Sequence, residues 1–314
     1  MDPASKVIEV IGLGYVGLPT ALVIADSGNN VIGVDINRDV IGSLTRGVSH
    51  IQEPGLPELL TKVSTKGAIS FQATTAPADI FIITTPTPLA KQGRKVDMGY
   101  VQTALKSIVP HLTEGNTVII ESTLPPLACR TSVKPILESS GLEVGATLFA
   151  AYCPERVLPG NILFELVHND RVIGGFDHLS TKKASLVYSG FVKGSLWETN
   201  DLHAELSKLM ENTYRDINIA IANQFSVLAN NLGVDTKEVI ALANHHPRIN
   251  ILDPGIGVGG PCIPKDPWLL SSDNSVDSTL IKAARRLNSR MPSMIAEKII
   301  EQCESAKQPR IAIL

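Results

Sequence analysis

Residues 7–19, Val-Ile-Glu-Val-Ile-Gly-Leu-Gly-Tyr-Val-Gly-Leu-Pro, decide how the first half of the chain is read. The apolar run Val7 to Ile11 enters a GxGxxG signature at Gly12, Gly14 and Gly17, and a helical pattern follows. In such a loop the first glycine permits a tight turn and the second lets a pyrophosphate approach the backbone. The third lets helix and strand pack closely, with the helix N-terminus facing the phosphates. Asp35 closes the next strand candidate, Val31 to Asp35, about 20 residues on, where a carboxylate can accept the adenosine ribose hydroxyls. That favours NAD over NADP. Arg38 could receive a 2′-phosphate, but Asp35 would repel it. A GxGxxG alone is an ordinary glycine-rich turn; strand, helix and Asp35 in register make it a cofactor site.

Over the first half, short β-branched runs alternate with amphipathic segments, as when crossover helices join parallel strands. Further strand candidates are Ile80 to Thr84, Val118 to Glu121 and Thr147 to Ala151, with Arg171 to Gly174 as an edge addition. The pattern predicts an α/β fold opening with a Rossmann-like, doubly wound parallel sheet. Two loops, Thr84-Thr85-Pro86-Thr87-Pro88 and Glu121-Ser122-Thr123-Leu124-Pro125-Pro126, follow predicted strands at the carboxyl edge, where such sheets bind ligands. Alone, both are plain loop chemistry.

From Asn200 to Leu232 the alternation stops. Leu202, Leu206, Leu209, Thr213, Ile217, Ala220, Ile221, Phe225 and Leu228 recur at helical spacing and predict one long helix. Gly233 reads as its C-cap, and Asp235 with Glu238 as a capping box opening the next helix. The remainder to about residue 305 reads as helical with one glycine-rich interruption, giving an all-α central domain. Because the second half of the long helix is apolar on more than one face, a homodimer through this helix is expected.

A length of 314 residues suits two domains with linkers. The net charge of -3 lacks the basic excess of nucleic-acid binders, so an anionic ligand must be met by a local cluster of cations. No apolar stretch approaches the roughly 20 residues of a membrane helix, and the opening MDPASK lacks the features of a secretory signal. Cys129, Cys153, Cys262 and Cys303 show neither CxxC nor zinc-ligand spacing, which points to reduced thiols, no metal and the cytoplasm.

The segment Gly255-Ile-Gly-Val-Gly-Gly-Pro-Cys262-Ile-Pro-Lys265-Asp266-Pro is the most informative outside the fingerprint. Its glycines, Gly259 among them, allow a ligand close to the backbone, and a thiol beside Lys265 is a candidate nucleophile. The plainer alternative is a small core residue, and for Cys129, Cys153 and Cys303 that alternative is preferred. Lys208 and Asn212 are four residues apart on one helix face. Together they could polarise an alcohol or stabilise an oxyanion; a solvated polar face is the alternative. Glu155, in Cys-Pro-Glu-Arg, could act as a general base through water or be merely a loop carboxylate.

Taken together, GLGYVGLP, ESTLPP, CPERVLPG, ELSKLMENTYRD and GVGGPCIPKDP resemble the UDP-glucose/GDP-mannose dehydrogenase family along essentially the whole chain. The stretches LPGN, ELVHNDRVIGG and ANHHPRINILDPG look most like its UDP-N-acetyl-D-mannosamine branch. The resemblance implies catalytic roles for Cys262, Lys208, Asn212, Asp266, Glu155 and Thr123. NAD contacts would come from Gly12, Gly14, Tyr15, Val16, Gly17, Asp35, Arg38, Thr85, Pro86, Thr87 and Thr123. Substrate contacts would come from Glu155, Arg156, Val157, Lys208, Asn212, Arg215, Arg248 and Gly259, with His245 and His246 in the substrate or dimer region. By the same resemblance, a water held by Lys208 and Asp266 takes the C6 hydroxyl proton as hydride passes to NAD. Cys262 then attacks the aldehyde, Lys208 and Asn212 stabilise the oxyanion, a second NAD takes another hydride, and water positioned by Glu155 hydrolyses the thioester.

Pro159 stands where UDP-glucose enzymes of the family carry a second glutamate, which counts against that substrate. The closing Arg310-Ile-Ala-Ile-Leu314 resembles the opening strand of the family's third, UDP-binding domain. The expected layout is therefore a NAD-binding domain over 1–198, a helical central domain over 199–306, and the start of a third domain over 307–314. A chain so ended is expected to bind NAD and turn over poorly. Two rival readings stay open: a single-step β-hydroxyacid dehydrogenase and a non-catalytic NAD-binding module.

Overall fold

β1 (Val7–Ile11) is the third strand of an eight-stranded sheet of order β3-β2-β1-β4-β5-β6-β7-β8. Its companions are β2 (Asn30–Val34), β3 (Ile69–Gln72), β4 (Ile80–Ile83), β5 (Thr117–Ile120), β6 (Phe149–Tyr152), β7 (Arg171–Gly175) and β8 (Leu196–Asn200). This computed structural model describes residues 6–90, 96–260, 262–271, 277–303 and 310–312. β4, β5 and β6 are buried at every position, as strands covered by helices on both faces must be. The helices of this part are α1 (Gly17–Asp26), α2 (Arg38–Thr45), α3 (Leu56–Thr65), α4 (Gly99–Ile108), α5 (Lys134–Glu138), α6 (Ile162–His168) and α7 (His178–Ser189). Two apolar clusters divide between the faces, one around Ile8, Leu22, Leu60 and Tyr188, the other around Phe81, Leu105, Val118 and Tyr152.

The sheet is mixed rather than wholly parallel, because β7 pairs antiparallel to β6. The segment between them, including α6, starts and ends at the carboxyl edge instead of crossing back. That return keeps Glu155 and Arg171 at one end of the sheet. Nor is β7 the edge; β8 pairs parallel outside it. Chain order reverses direction between β1 and β4, which pair parallel, so a crevice opens above their carboxyl ends.

The predicted long helix is α8 (Asp201–Asn231), and it is followed by α9 (Thr236–Asn244), α10 (Asp266–Leu270) and α11 (Thr279–Cys303). Gly233 takes the left-handed φ of 71° that ends α8, and the Asp235 carboxylate caps α9 by accepting from Lys237 N and Glu238 N. Packing divides the chain into two units, Met1–Lys208 and Leu209–Leu314. The first two turns of α8 thus belong with the sheet, and Ala204 is part of one sheet cluster. Of the expected terminal strand, 310–312 carry no regular element and 313–314 lie outside the described residues. Among the described residues no helix is long and apolar enough to cross a membrane.

Candidate active site

Backbone geometry accounts for Gly12 and Gly17. Gly12 has φ 97°, and a Cβ there would lie 3.1 Å from the Thr84 carbonyl carbon; at Gly17 a Cβ would lie 1.8 Å from Gly12 O. At Gly14 a Cβ meets nothing within 4 Å, so this backbone faces open space. Thr84 Oγ1 locks the turn by donating to Ile11 O at 2.9 Å and Gly12 O at 2.6 Å. The Asp35 carboxylate, half-buried, accepts from Leu13 N at 2.9 Å and Asn37 N at 2.8 Å, which holds it against the glycine turn. Ten residues of α1 follow with no acidic side chain in the first turn. A tight turn, an open backbone, an unopposed helix start and a tethered carboxylate fit a dinucleotide. Tyr15 and Arg38 are exposed beside it.

The neighbouring carboxyl-edge loops are tied together. Ser122 Oγ donates to Thr85 O at 2.6 Å, joining the loop after β5 to the one after β4. Thr87 is buried, Thr123 half-buried and Pro86 exposed. Beyond them Leu127, with φ 67°, turns the chain so that Leu127 N and Cys129 N both donate to Glu205 on α8, at 2.7 and 2.8 Å. Arg130 pairs with Asp201 one turn earlier on α8. The start of α8 is therefore pinned to this edge, and Lys208, one turn on, donates from Nζ to Glu155 O at 2.7 Å.

Glu155 accepts from Arg156 N on one oxygen and from the Arg171 guanidinium on the other. Arg171 also reaches Glu121, whose Oε1 accepts from the Tyr188 hydroxyl at 2.7 Å. Burial pushes the Glu121 carboxyl up to about 7, against the lowering effect of Arg171 and with the raising effect of Glu155. Arg156 Nη2 donates to Asp170 O, and Val157 packs with Ile162 and Leu166. The sequence reading did not single out Glu121, Arg171 or Tyr188. A charged residue heading the apolar strand β7, and another closing the apolar strand β5, were the available signals.

In the second unit, Cys262 opens a turn in which its carbonyl accepts from Lys265 N at 3.0 Å and Asp266 N at 2.9 Å. That turn delivers Asp266 to α8, where Asn212 Nδ2 donates to its carboxylate at 2.6 Å. The Lys265 ammonium, expected beside the thiol, lies 3.8 Å from the Asp266 carboxylate. Lys208 and Asn212 are 8 % and 6 % exposed, so the solvated-face alternative does not hold. The glycine-rich loop is anchored by a buried chain of amides: Gly255 N donates to Asn223, Asn223 to Asn288, and Asn288 to Asp216, which pairs with Arg285. Gly257 packs against α11, where a Cβ would lie 3.0 Å from Asn288 O, while Gly259 faces open space. Arg215, His245, His246 and Arg248 are exposed.

The four thiols separate by environment. Cys129 and Cys153 are sealed, and burial first, then the charges of Glu205 and Glu121 respectively, pushes both upward and keeps them protonated. Cys262 and Cys303 are half-buried, so Cys303 is not the core residue expected. Among the described residues no group of three or more His, Cys, Asp or Glu side chains could hold a metal ion.

A sheet that switches direction beside an open glycine turn, with Asp35 tethered to it and a helical unit following, defines the class of dinucleotide-binding α/β proteins. Comparison narrows the class: residues 6–192 match the NAD binding domain of the UDP-glucose/GDP-mannose dehydrogenase family, and residues 202–290 match its central domain. The chain belongs to that family, whose members oxidise nucleotide sugars with NAD. It is 43 % identical over 313 residues to a UDP-N-acetyl-D-mannosamine dehydrogenase of Methanococcus maripaludis, spanning 98 % of this chain and 71 % of that one. The solved UDP-N-acetyl-mannosamine dehydrogenase of Pyrococcus horikoshii superposes with a TM-score of 0.91 at 44 % identity, over 96 % of this chain and 72 % of that one. Its Staphylococcus aureus counterpart gives 0.89 at 42 %, over 97 % and 72 %.

Proposed function

We propose that the protein oxidises the C6 hydroxymethyl group of UDP-N-acetyl-D-mannosamine to a carboxylate through a thioester on Cys262. The net change is R-CH2OH + 2 NAD+ + H2O giving R-COO- + 2 NADH + 3 H+. The observation that carries this reading is the half-buried Cys262 at the head of the turn that seats Asp266 on Asn212, in a chain 43 % identical to an enzyme of that name. Bound NAD, held by the glycine turn and Asp35, supplies the hydride acceptor for both oxidations. The Cys262 sulfur adds to the intermediate aldehyde, and the Lys208 ammonium and Asn212 amide stabilise the resulting oxyanion. Loss of a second hydride gives the thioester, and Glu155 takes a proton from the water that hydrolyses it. We assign Thr123, Arg156, Val157, Arg215, Arg248 and Gly259 to contacts with the ligands. A reduced thiol suits the cytoplasm, and a homodimer through α8 completes the assembly.

The test is stoichiometry and selectivity in the full-length protein. UDP-N-acetylmannosamine should be oxidised faster than UDP-N-acetylglucosamine, UDP-glucose or GDP-mannose, with two NADH per sugar. One NADH per sugar would establish a single-step alcohol dehydrogenase instead, and a preference for UDP-glucose would overturn the branch assignment. Cys262→Ala should abolish carboxylate formation; Cys129→Ala should not, because that thiol is sealed and protonated.

A further inference from the structure

Because β7 runs antiparallel to β6, its first residue, Arg171, stands at the edge where the loops after β5 and β6 emerge. Its guanidinium is sealed from solvent and meets three groups there. Nη1 donates to Glu121 Oε1 at 3.3 Å, Nη2 donates to Glu155 Oε2, and the cation lies 4.6 Å from the centre of the Tyr188 ring. Tyr188 returns to the same place by donating its hydroxyl to Glu121 at 2.7 Å. Glu121 directly follows β5, two residues before Thr123, and Glu155 follows β6. One buried cation thus ties together two loops that carry proposed site residues.

When both are ionised, two buried carboxylates share the one guanidinium that contacts them. Burial drives Glu121 up to about 7, so at neutral pH it holds a proton part of the time and the cation is then left to Glu155. Tyr188 and Glu121 form the seat of the guanidinium, and Glu155 is its load. With Arg156 N on the second oxygen, both oxygens of the Glu155 carboxylate are fixed by protein donors.

We propose that Arg171 is the positioning residue for Glu155, holding its carboxylate in the orientation in which it takes a proton from the hydrolytic water. This rests on the reading of Glu155 given above. In the step served, the water oxygen bonds to the acyl carbon and one water proton passes to Glu155. The carbon–sulfur bond breaks, its electron pair leaves with the Cys262 thiolate, and the product acid releases its proton to solvent.

Intact-mass spectrometry of the full-length protein, quenched after mixing with NAD and UDP-N-acetylmannosamine, reads the acyl adduct on Cys262; a parallel trace reads the NADH burst. Arg171→Lys keeps the charge but loses the forked geometry that reaches Glu121 and Glu155 together. It should preserve the burst of two NADH per site, slow steady turnover by about 10²-fold, and accumulate the adduct as Glu155→Gln does. Should Arg171→Lys not fold, Arg171→Met combined with Glu121→Gln removes one charge of each sign and should give the same signature. Adduct in Glu155→Gln but none in either folded Arg171 variant overturns the positioning role. No adduct in Glu155→Gln, with normal clearance, overturns the role of Glu155 and the positioning role with it.

Discussion

Glu9 sits in the middle of β1 with no exposed surface, its Oε1 accepting from Ala76 N at 2.9 Å and its Oε2 without a partner. Burial raises this carboxyl from 4.5 to about 7, only partly offset by the Ala76 hydrogen bond. The unfolded chain releases the proton first, so stability is fully present below pH 4.5 and falls as pH rises to about 7. The shift corresponds to roughly 3 kcal/mol. Glu9→Gln keeps the acceptor for Ala76 and removes the titration. Urea unfolding at pH 5 and pH 8 should show the variant matching wild type at the lower pH and exceeding it at the higher; equal stability at pH 8 would count against a buried neutral Glu9. The sequence reading passed over this residue, because Glu9 stands among the apolar side chains of VIEVI and the stretch was read simply as an apolar run. Gly12, Gly14, Gly17 and Asp35 were legible because their spacing is itself the geometry.

Element by element, legibility followed burial. Strands β4, β5 and β6 are continuous apolar runs and were found, whereas β3 (Ile-Ser-Phe-Gln) and β8 (Leu-Trp-Glu-Thr-Asn) are edge strands with half their faces wet and were missed. The antiparallel entry of β7 left no local mark, since strand direction depends on where the connecting segment returns. The long helix was legible from its period, but what fixes its start was not. Glu205 accepts from both Leu127 N and Cys129 N, one turn before Lys208, and burial raises its carboxyl against those two donors. Glu205→Ala strands both donors and should cost about 2 kcal/mol of stability in urea unfolding. Glu205→Gln retains an acceptor and should cost less; equal stability of the alanine variant and wild type would show that the anchor contributes nothing.

For the molecule as a whole, assembly turns on the second unit's apolar surface. Tyr214, Phe225 and Leu228 on α8 and Leu232 just past its end are 70 %, 42 %, 55 % and 70 % exposed, and Val239 and Leu242 on α9 are exposed as well. Tyr214, Phe225 and Leu228 fall on one stripe of α8, distinct from the buried stripe of Leu209, Thr213 and Ala220. A helix apolar on both sides needs two partners, and a stripe of large side chains left in water is the kind of surface that subunits cover. A twofold pairing would set the stripe against its own copy, so each substitution acts twice in one interface. Phe225→Glu with Leu228→Glu would bring four carboxylates together there. Analytical ultracentrifugation should find wild type as a dimer at micromolar concentration and the double variant as a folded monomer. The dinucleotide turn belongs to the other unit, so NAD affinity measured by calorimetry should survive the change. A wild-type monomer, or a double variant that remains dimeric, would mean that α8 does not form the interface.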